Sequence, residues 1–110
     1  MQKLEGEQTL MRIFIGESDR YQKRPLHEVL VELFRKEGFA GATVLKGVTG
    51  FGAHSMLHTD RLLCLSQDLP LVIEVVDHEE KIEKIIPLLD EMLKGGMITL
   101  EKARVICYKS

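Results

Sequence analysis

The strongest constraint on the fold is a helical pattern flanked by strand patterns, which occurs twice along this chain of 110 residues. In the first half, Leu26 begins an apolar stripe with intervals of three and four residues, the spacing of one helix face. Pro25 suits the first position of that helix, and Gly38 suits its left-handed end. Residues 9–16 alternate as a strand before the helix, and residues 39–48 form a second strand after it.

A second β-α-β unit is predicted in the other half of the chain. Residues 71–76 are almost continuously apolar, which is typical of a central strand. Asp77 is placed to cap the next helix, with Glu80 at its third position. Pro87 lies inside that helix and predicts a kink or a lost hydrogen bond. Residues 97–108 then alternate as the last strand.

Two such halves predict an α+β ferredoxin-like βαββαβ sandwich, in which both helices cover one face of an antiparallel sheet. Residues 11, 13 and 15 alternate with Leu10 and Phe14, so only one of these apolar sets can face the helices. The other set needs a different partner. We therefore predict a homo-oligomer that packs sheet against sheet.

Length and composition favour one domain over residues 1–110, with a flexible N-terminus at 1–7 and a long loop at 50–68. The chain is 45% apolar and 29% charged, as expected of a protein with a packed core. Its net charge of −2 gives no electrostatic reason to expect a nucleic-acid partner. Neither a secretory leader nor an apolar run of about 18 residues is present, so we expect a cytoplasmic protein with reduced thiols.

The glycine segment, residues 46–52 (Lys-Gly-Val-Thr-Gly-Phe-Gly), separates the second strand from a polar stretch. Glycine permits positive φ and lets a ligand approach the backbone closely. Successive N–H groups in such a turn can hold an anion such as phosphate, and Lys46 would add a positive charge. The alternative is a loop whose glycines only relieve strain. The pattern is neither a Walker A motif nor G-x-G-x-x-G at the start of a helix.

Other chemistry-bearing residues give weaker patterns. His54 and His58 lie four residues apart, with Asp60 close by, and on a helix the two histidines could bind one side of a metal ion. Glycines precede them and no further ligands cluster nearby, so histidines that face solvent or a partner are the alternative. Glu79 and Glu80 are explained by the start of a helix, where negative charge is favourable. No catalytic signature is visible, and we do not expect an enzyme.

Three segments together resemble the PII-like proteins, in particular an uncharacterised branch of small prokaryotic members. They are residues 46–52, residues 68–77 (Asp-Leu-Pro-Leu-Val-Ile-Glu-Val-Val-Asp) and residues 94–99 (Lys-Gly-Gly-Met-Ile-Thr). The similarity covers roughly residues 8–108. It implies a ferredoxin-like protomer, a homotrimer and a long loop between the second and third strands. It also implies binding of adenine nucleotides in the clefts between subunits and contact of the loop with a target protein.

The resemblance thus implies a non-enzymatic regulatory protein that binds an adenine nucleotide or a similar small anion, needs no cofactor and signals through residues 50–68. A transporter or an enzyme is the expected class of target. The loop lacks the tyrosine that is uridylylated in some PII proteins, so that modification is not expected. A divalent-metal-binding trimer is the alternative, because metal-tolerance proteins share this architecture; it would use His54 and His58. By position, the expected ligand-binding residues are Lys46, Gly47, Thr49, Gly50, Phe51, Gly52, Lys94, Gly95, Gly96, Lys102 and Arg104.

Overall fold

The computed structural model describes residues 5–52 and 68–108. Within these ranges, a four-stranded sheet has the order β4-β5-β1-β6, and every neighbouring pair is antiparallel. With two helices on one face, this is the predicted ferredoxin-like α+β fold. The elements are β1 (Gly6–Gly16), β2 (Arg20–Tyr21), β3 (Arg24–Pro25), α1 (Leu26–Lys36), β4 (Thr43–Lys46), β5 (Pro70–Asp77), α2 (Glu79–Met92) and β6 (Met97–Val105).

The core lies between the helices and one face of the sheet. Alternate residues of the two central strands are buried there, and the apolar stripes of α1 and α2 pack onto them. The strands place every second residue in this core, and the helices place every third or fourth residue there. The apolar patterns read from the sequence therefore meet in one layer. Its most deeply buried members are Met11, Ile13, Leu30, Phe34, Ile73, Val75, Ile82, Ile85 and Leu89.

The end of α1 confirms the predicted role of Gly38, which has a φ of +79°. The Gly38 N–H donates to the carbonyl of Arg35 at 3.1 Å, and the Phe39 N–H donates to the carbonyl of Phe34 at 3.0 Å. These two bonds form a Schellman motif. The rings of Phe34 and Phe39 meet edge to face with their centroids 5.0 Å apart, which adds the apolar contact typical of this motif.

Several element boundaries differ from the prediction. β1 begins at Gly6 instead of residue 9, and β4 covers only Thr43–Lys46 instead of residues 39–48. The strand is shorter because residues 39–42 connect the Schellman turn to β4 and pairing with β5 begins only at Thr43. Pro25 precedes the first helical residue and pairs with Arg20 in the small β2–β3 hairpin, which the polar sequence of this connection did not indicate. β6 ends at Val105, before the predicted end at residue 108.

The predicted cap of α2 is wrong, because Asp77 is the last residue of β5 and His78 occupies the N-cap position. Asp77 is buried instead, and its carboxylate accepts the N–H of Ala40 at 3.0 Å and the N–H of His78 at 2.8 Å. The Lys81 ammonium lies 3.7 Å from the same carboxylate. Glu80 is consequently the second helical residue. The Asp77 carboxylate thus connects the segment after α1 with the start of α2 through hydrogen bonds.

α2 continues across Pro87 to Met92. Proline has no N–H to donate to the carbonyl of Glu83, so one helical hydrogen bond is missing, as predicted from its chemistry. Both residues are on the exposed side, where water can satisfy that carbonyl. Neither described helix is long and apolar enough to cross a membrane.

The sheet face opposite the helices, called the open face here, has no covering layer among residues 5–52 and 68–108. Cross-strand partners share a face, so the register places Leu10, Phe14, Val72, Leu45 and Met97 on it. Leu45 is 48% exposed and Met97 is 54% exposed. The second apolar set of the central strands is therefore left partly open to solvent, as the sequence required.

A single cation lies at the centre of the described open face. Arg12 on β1 donates to Glu74 on β5 with an N–O distance of 2.8 Å, and it also donates to Glu101 on β6. The hydrogen bond that Arg12 donates to Glu74, followed by the one that it donates to Glu101, raises the pKa of Arg12 above its usual value. Three neighbouring strands thus contribute one charge each to a row across an otherwise largely apolar surface.

The turn between α2 and β6 depends on Gly96, which has a φ of +90°. A Cβ on this residue would lie 2.2 Å from the carbonyl oxygen of Phe14, a backbone atom of the central strand that cannot move aside cheaply. We predict that Gly96→Ala lowers the free energy of unfolding by about 2 kcal/mol or more, because strain and steric overlap add. Denaturant unfolding followed by circular dichroism measures this loss.

Gly41→Ala is the matched control for Gly96→Ala. A Cβ on Gly41 would meet no described atom within 4 Å. Its φ is outside the left-handed region, so the substitution is expected to leave stability within about 0.5 kcal/mol of the parent or to raise it slightly. Equal losses in the two variants would contradict the steric argument.

Candidate functional site

A cavity of about 350 Å³ lies where three strand ends meet. The register pairs Gly16, at the end of β1, with Pro70, at the start of β5, and pairs Phe14 with Met97, at the start of β6. The end of the glycine segment closes this corner. The apolar walls of the cavity are formed by Phe14, Ile15, Phe51, Pro70 and Met97.

The glycine segment has two parts with different roles. The Gly47 N–H donates to the carbonyl of Pro70 at 2.8 Å, and a Cβ on Gly47 would lie 2.9 Å from Cγ of the proline ring. Gly50 has a φ of +141°, and a Cβ on it would lie 3.2 Å from the same Cγ atom. These two glycines allow the chain to lie against Pro70, which is a structural role. Gly52 is different, because it lines the cavity and a Cβ there would meet no described atom within 4 Å.

Two carboxylates at the cavity were not singled out from the sequence. Asp19 accepts the N–H of Gly16 at 3.0 Å, and Asp68 accepts the hydroxyl of Ser18 at 2.8 Å. Both lie beside Gly16, since a Cβ there would be 2.8 Å from an Asp68 oxygen and 3.4 Å from an Asp19 oxygen. They are 49 positions apart in the sequence. Only the antiparallel pairing of β1 with β5 brings them together, so no local motif could have identified them.

Lys46, predicted to provide positive charge, is already paired. Its ammonium lies 2.7 Å from the carboxylate of Glu17, the residue that follows β1. This hydrogen bond is the main cause of the lowered pKa of Glu17, and burial of the carboxylate opposes the shift. The second oxygen of Glu17 is buried and has no hydrogen-bond partner in the described part of the chain. The ion pair fixes the base of the glycine segment to the end of β1.

The remaining predicted residues are distributed over four places. Gly96 lines the cavity, whereas Lys94 and Gly95 line a smaller neighbouring cavity of about 280 Å³ that also includes Asp19. Thr49 is exposed on the glycine segment and is not among the described residues that line the cavity.

Lys102 and Arg104 do not join the cavity within one protomer. Arg104 pairs with Glu7 in the register, and the Lys102 ammonium lies 3.8 Å from the Glu7 carboxylate, near the start of β1. Met97, at the cavity, is seven residues away from Arg104 along β6, a distance of roughly 23 Å at about 3.3 Å per residue. If these two cations contact a ligand in the cavity, they must come from another protomer.

The sequence profile of the DUF190 family, described as Uncharacterized ACR, COG1993, matches residues 8–105. This chain belongs to the DUF190 family. A UPF0166 protein of Aquifex aeolicus is 36% identical over 100 residues, which cover 88% of this chain and 91% of that relative. A UPF0166 protein of Methanocaldococcus jannaschii is 33% identical over 97 residues, which cover 87% of this chain and 89% of that relative.

Solved structures share the fold of this DUF190 chain at lower identity. A candidate PII-like signaling protein from Thermus thermophilus superposes with a TM-score of 0.64 at 19% identity, covering 96% of this chain and 94% of that one. The protein CPII of Thiomonas intermedia, bound to ADP, AMP and acetate, superposes with a TM-score of 0.58 at 19% identity and with the same coverage. The fold predicted from the resemblance is confirmed by these superpositions.

The metal-binding alternative has no support in residues 5–52 and 68–108. No group of three or more His, Cys, Asp or Glu side chains in these ranges is arranged to hold a metal ion. His54, His58 and Asp60 lie outside the described residues, and so does most of the long loop predicted at 50–68. The histidine site therefore stays a prediction from sequence.

The lowered pKa of Glu17 predicts a pH-dependent contribution to stability. A carboxylate with a lowered folded-state pKa stabilises the fold above its ordinary value of 4.5, and this contribution is lost as the pH falls through the folded-state pKa. We expect the parent chain to have a higher thermal midpoint than Glu17→Gln at about pH 7, and we expect this difference to shrink as the pH falls below 4.5 through the lowered folded-state pKa of Glu17.

The exposed residue Glu83 on α2 provides a control, since Glu83→Gln removes a carboxylate that makes no described ion pair with a lysine or arginine. Its thermal midpoint should follow that of the parent chain over the whole pH range. A constant difference between the parent and Glu17→Gln, without pH dependence, would show that the ion pair with Lys46 is not the cause.

Proposed function

We propose that this DUF190 protein is a PII-like regulator without catalytic activity, which binds an adenine nucleotide in the cavity and signals through residues 50–68. The proposal rests on the position of the cavity. Phe51 and Gly52 are the last residues described on one side of this loop, Asp68 is the first one described on the other side, and all three line the cavity. A ligand held there contacts both ends of the loop at once, so that binding can change the loop's conformation and its fit to a target protein.

The shape of the cavity supports a nucleotide-sized guest. Its volume of about 350 Å³ lies within the range of small-molecule sites, which are mostly apolar with a few convergent polar groups. Phe51 offers an aromatic face, and its side chain is 79% exposed. The fold likeness to CPII, whose structures contain ADP and AMP, adds support for an adenine nucleotide.

The phosphate groups of such a ligand need cations, and the cations predicted from sequence are dispersed within one protomer. Lys46 is near the cavity but paired with Glu17, and Lys94 lies beyond Asp19. Lys102 and Arg104 would meet the cavity only if an adjacent protomer supplied them. We therefore place the complete site at a junction between protomers.

The assembly that we propose is a homotrimer, built through the open face. That surface contains apolar side chains of all four strands, which are exposed on β4 and β6 and half-buried on β1 and β5. An exposed apolar area of this kind is typical of an interface. The row Glu74–Arg12–Glu101 is hydrogen-bonded within the protomer, but its two carboxylates and one guanidinium leave a net charge of −1, which a partner protomer would have to balance or leave in contact with water.

Titration calorimetry of the oligomeric protein with AMP, ADP, ATP and cyclic AMP tests nucleotide binding. We expect saturable binding of at least one of them. Gly52→Val should weaken that binding about tenfold or more, because the new side chain points into unoccupied space at the cavity without disturbing a described neighbour.

Gly41→Val is the control for Gly52→Val, since a Cβ on Gly41 also meets no described atom within 4 Å and Gly41 does not line the cavity. Binding by this variant should equal that of the parent chain. Absence of saturable binding of all four nucleotides would defeat the proposed function.

Sedimentation analysis tests the trimer. Leu45→Asp places a charge on the open face, and we expect it to raise the trimer dissociation constant about tenfold or more because an unpaired charge would be buried. Leu88→Asp is the control: Leu88 is 40% exposed, against 48% for Leu45, but it lies on α2. A monomeric parent chain, or equal effects of the two substitutions, would contradict assembly through the open face.

A further inference from the structure

The charge of the cavity is opposite to what a phosphate-binding site needs. The charged side chains that line it, within the described ranges, are Asp19 and Asp68, and the other lining side chains are apolar or glycine. A site for phosphate would be expected to present lysine, arginine or a helix N-terminus. Lys46, the cation predicted to attract phosphate, is neutralised by Glu17.

Both carboxylates are held in place and still have acceptor capacity. Asp19 receives the N–H of Gly16 on one oxygen, and Asp68 receives the hydroxyl of Ser18 on one oxygen. A carboxylate has two oxygens with about four lone-pair sites, so each aspartate can accept further hydrogen bonds. Carboxylate oxygens form strong hydrogen bonds with hydroxyl and amino groups, and they repel other anions.

We propose that Asp19 and Asp68 set the specificity of the cavity, which takes the neutral nucleoside part of the ligand and favours nucleotides with few phosphates. This inference rests on the proposed function and deepens it. Ribose hydroxyls or the exocyclic amine of the base donate to the two carboxylates, while the base lies against Phe51 and the other apolar walls. Adenosine and AMP are therefore the preferred ligands, ADP is weaker, and ATP is the weakest.

The preference follows from the distance dependence of electrostatic repulsion. Asp19 and Asp68 line the cavity itself, whereas Lys102 and Arg104 do not line it within one protomer and would meet the ligand only from an adjacent one. Each added phosphate therefore brings more negative charge within reach of the two carboxylates, and such repulsion acts over about 10 Å at 0.1 M salt. The partly enclosed, apolar surroundings screen less than bulk water does. We expect each added phosphate to weaken binding by about threefold or more at low salt, and this difference should shrink as salt is added.

The test is calorimetric titration of the oligomeric protein with adenosine, AMP, ADP and ATP in EDTA, at low and at high salt. In the parent chain the affinities should fall in that order. Asp19→Asn and Asp68→Asn keep an oxygen acceptor for Gly16 and Ser18, so both variants should fold. Each should raise the affinity for ATP relative to AMP by about threefold or more, because one repulsive charge is gone. Asp90→Asn, on the exposed side of α2, removes the same charge elsewhere and should leave the ratio unchanged.

The possible outcomes separate this inference from the proposed function. If no adenine compound binds, the proposed function fails, and the inference fails with it. If nucleotides bind but ATP is preferred in EDTA, or if neither asparagine variant changes the ratio, the inference alone is overturned. It is also overturned if excess Mg²⁺ makes ATP the tightest ligand of the parent chain and not of the two variants, because the carboxylates would then be holding a cation.

Discussion

The double pairing of β1 is the interaction on which the rest of the structure depends. This strand is hydrogen-bonded to β5 on one side and to β6 on the other, in antiparallel register along most of its length. Its alternate side chains form the middle of the core, and the remaining ones form the middle of the open face. Because both neighbouring strands are antiparallel to β1, the end of β1 at Gly16 lies beside the starts of β5 and β6. The cavity exists at this corner for that reason.

Periodicity predicted the fold well, since it is a local property of the chain. The stripe that begins at Leu26 and the apolar run at 71–76 needed no knowledge of distant residues, and both elements are found where expected. Boundaries were less predictable because they depend on tertiary contacts. Aspartate is a favoured N-cap residue, which is why Asp77 was predicted to cap α2. Its carboxylate is instead buried and accepts the N–H of Ala40, which lies 37 positions earlier in the sequence.

The candidate site was predicted only in part. The glycine segment was singled out from its residue types, and Gly96 from the resemblance to PII-like proteins. Phe51 and Gly52, at the end of that segment, and Gly96 line the cavity, and their role in ligand binding stays a prediction. Asp19 and Asp68 were missed because isolated aspartates in polar connections are common, and their meeting is set by strand register. A positively charged site was expected because lysines and arginines were considered without the carboxylates that pair with them. Glu17, 29 positions before Lys46, forms the ion pair that neutralises this lysine.

The proline ring that supports the glycine segment has an evolutionary consequence. Gly47 and Gly50 both lie against Pro70, and Gly47 also donates to its carbonyl, so these three positions share one small volume. A side chain gained at position 47 would have to be matched by a smaller residue at position 70, or the base of the loop would shift relative to the sheet. Among related sequences, the three positions should accordingly vary together.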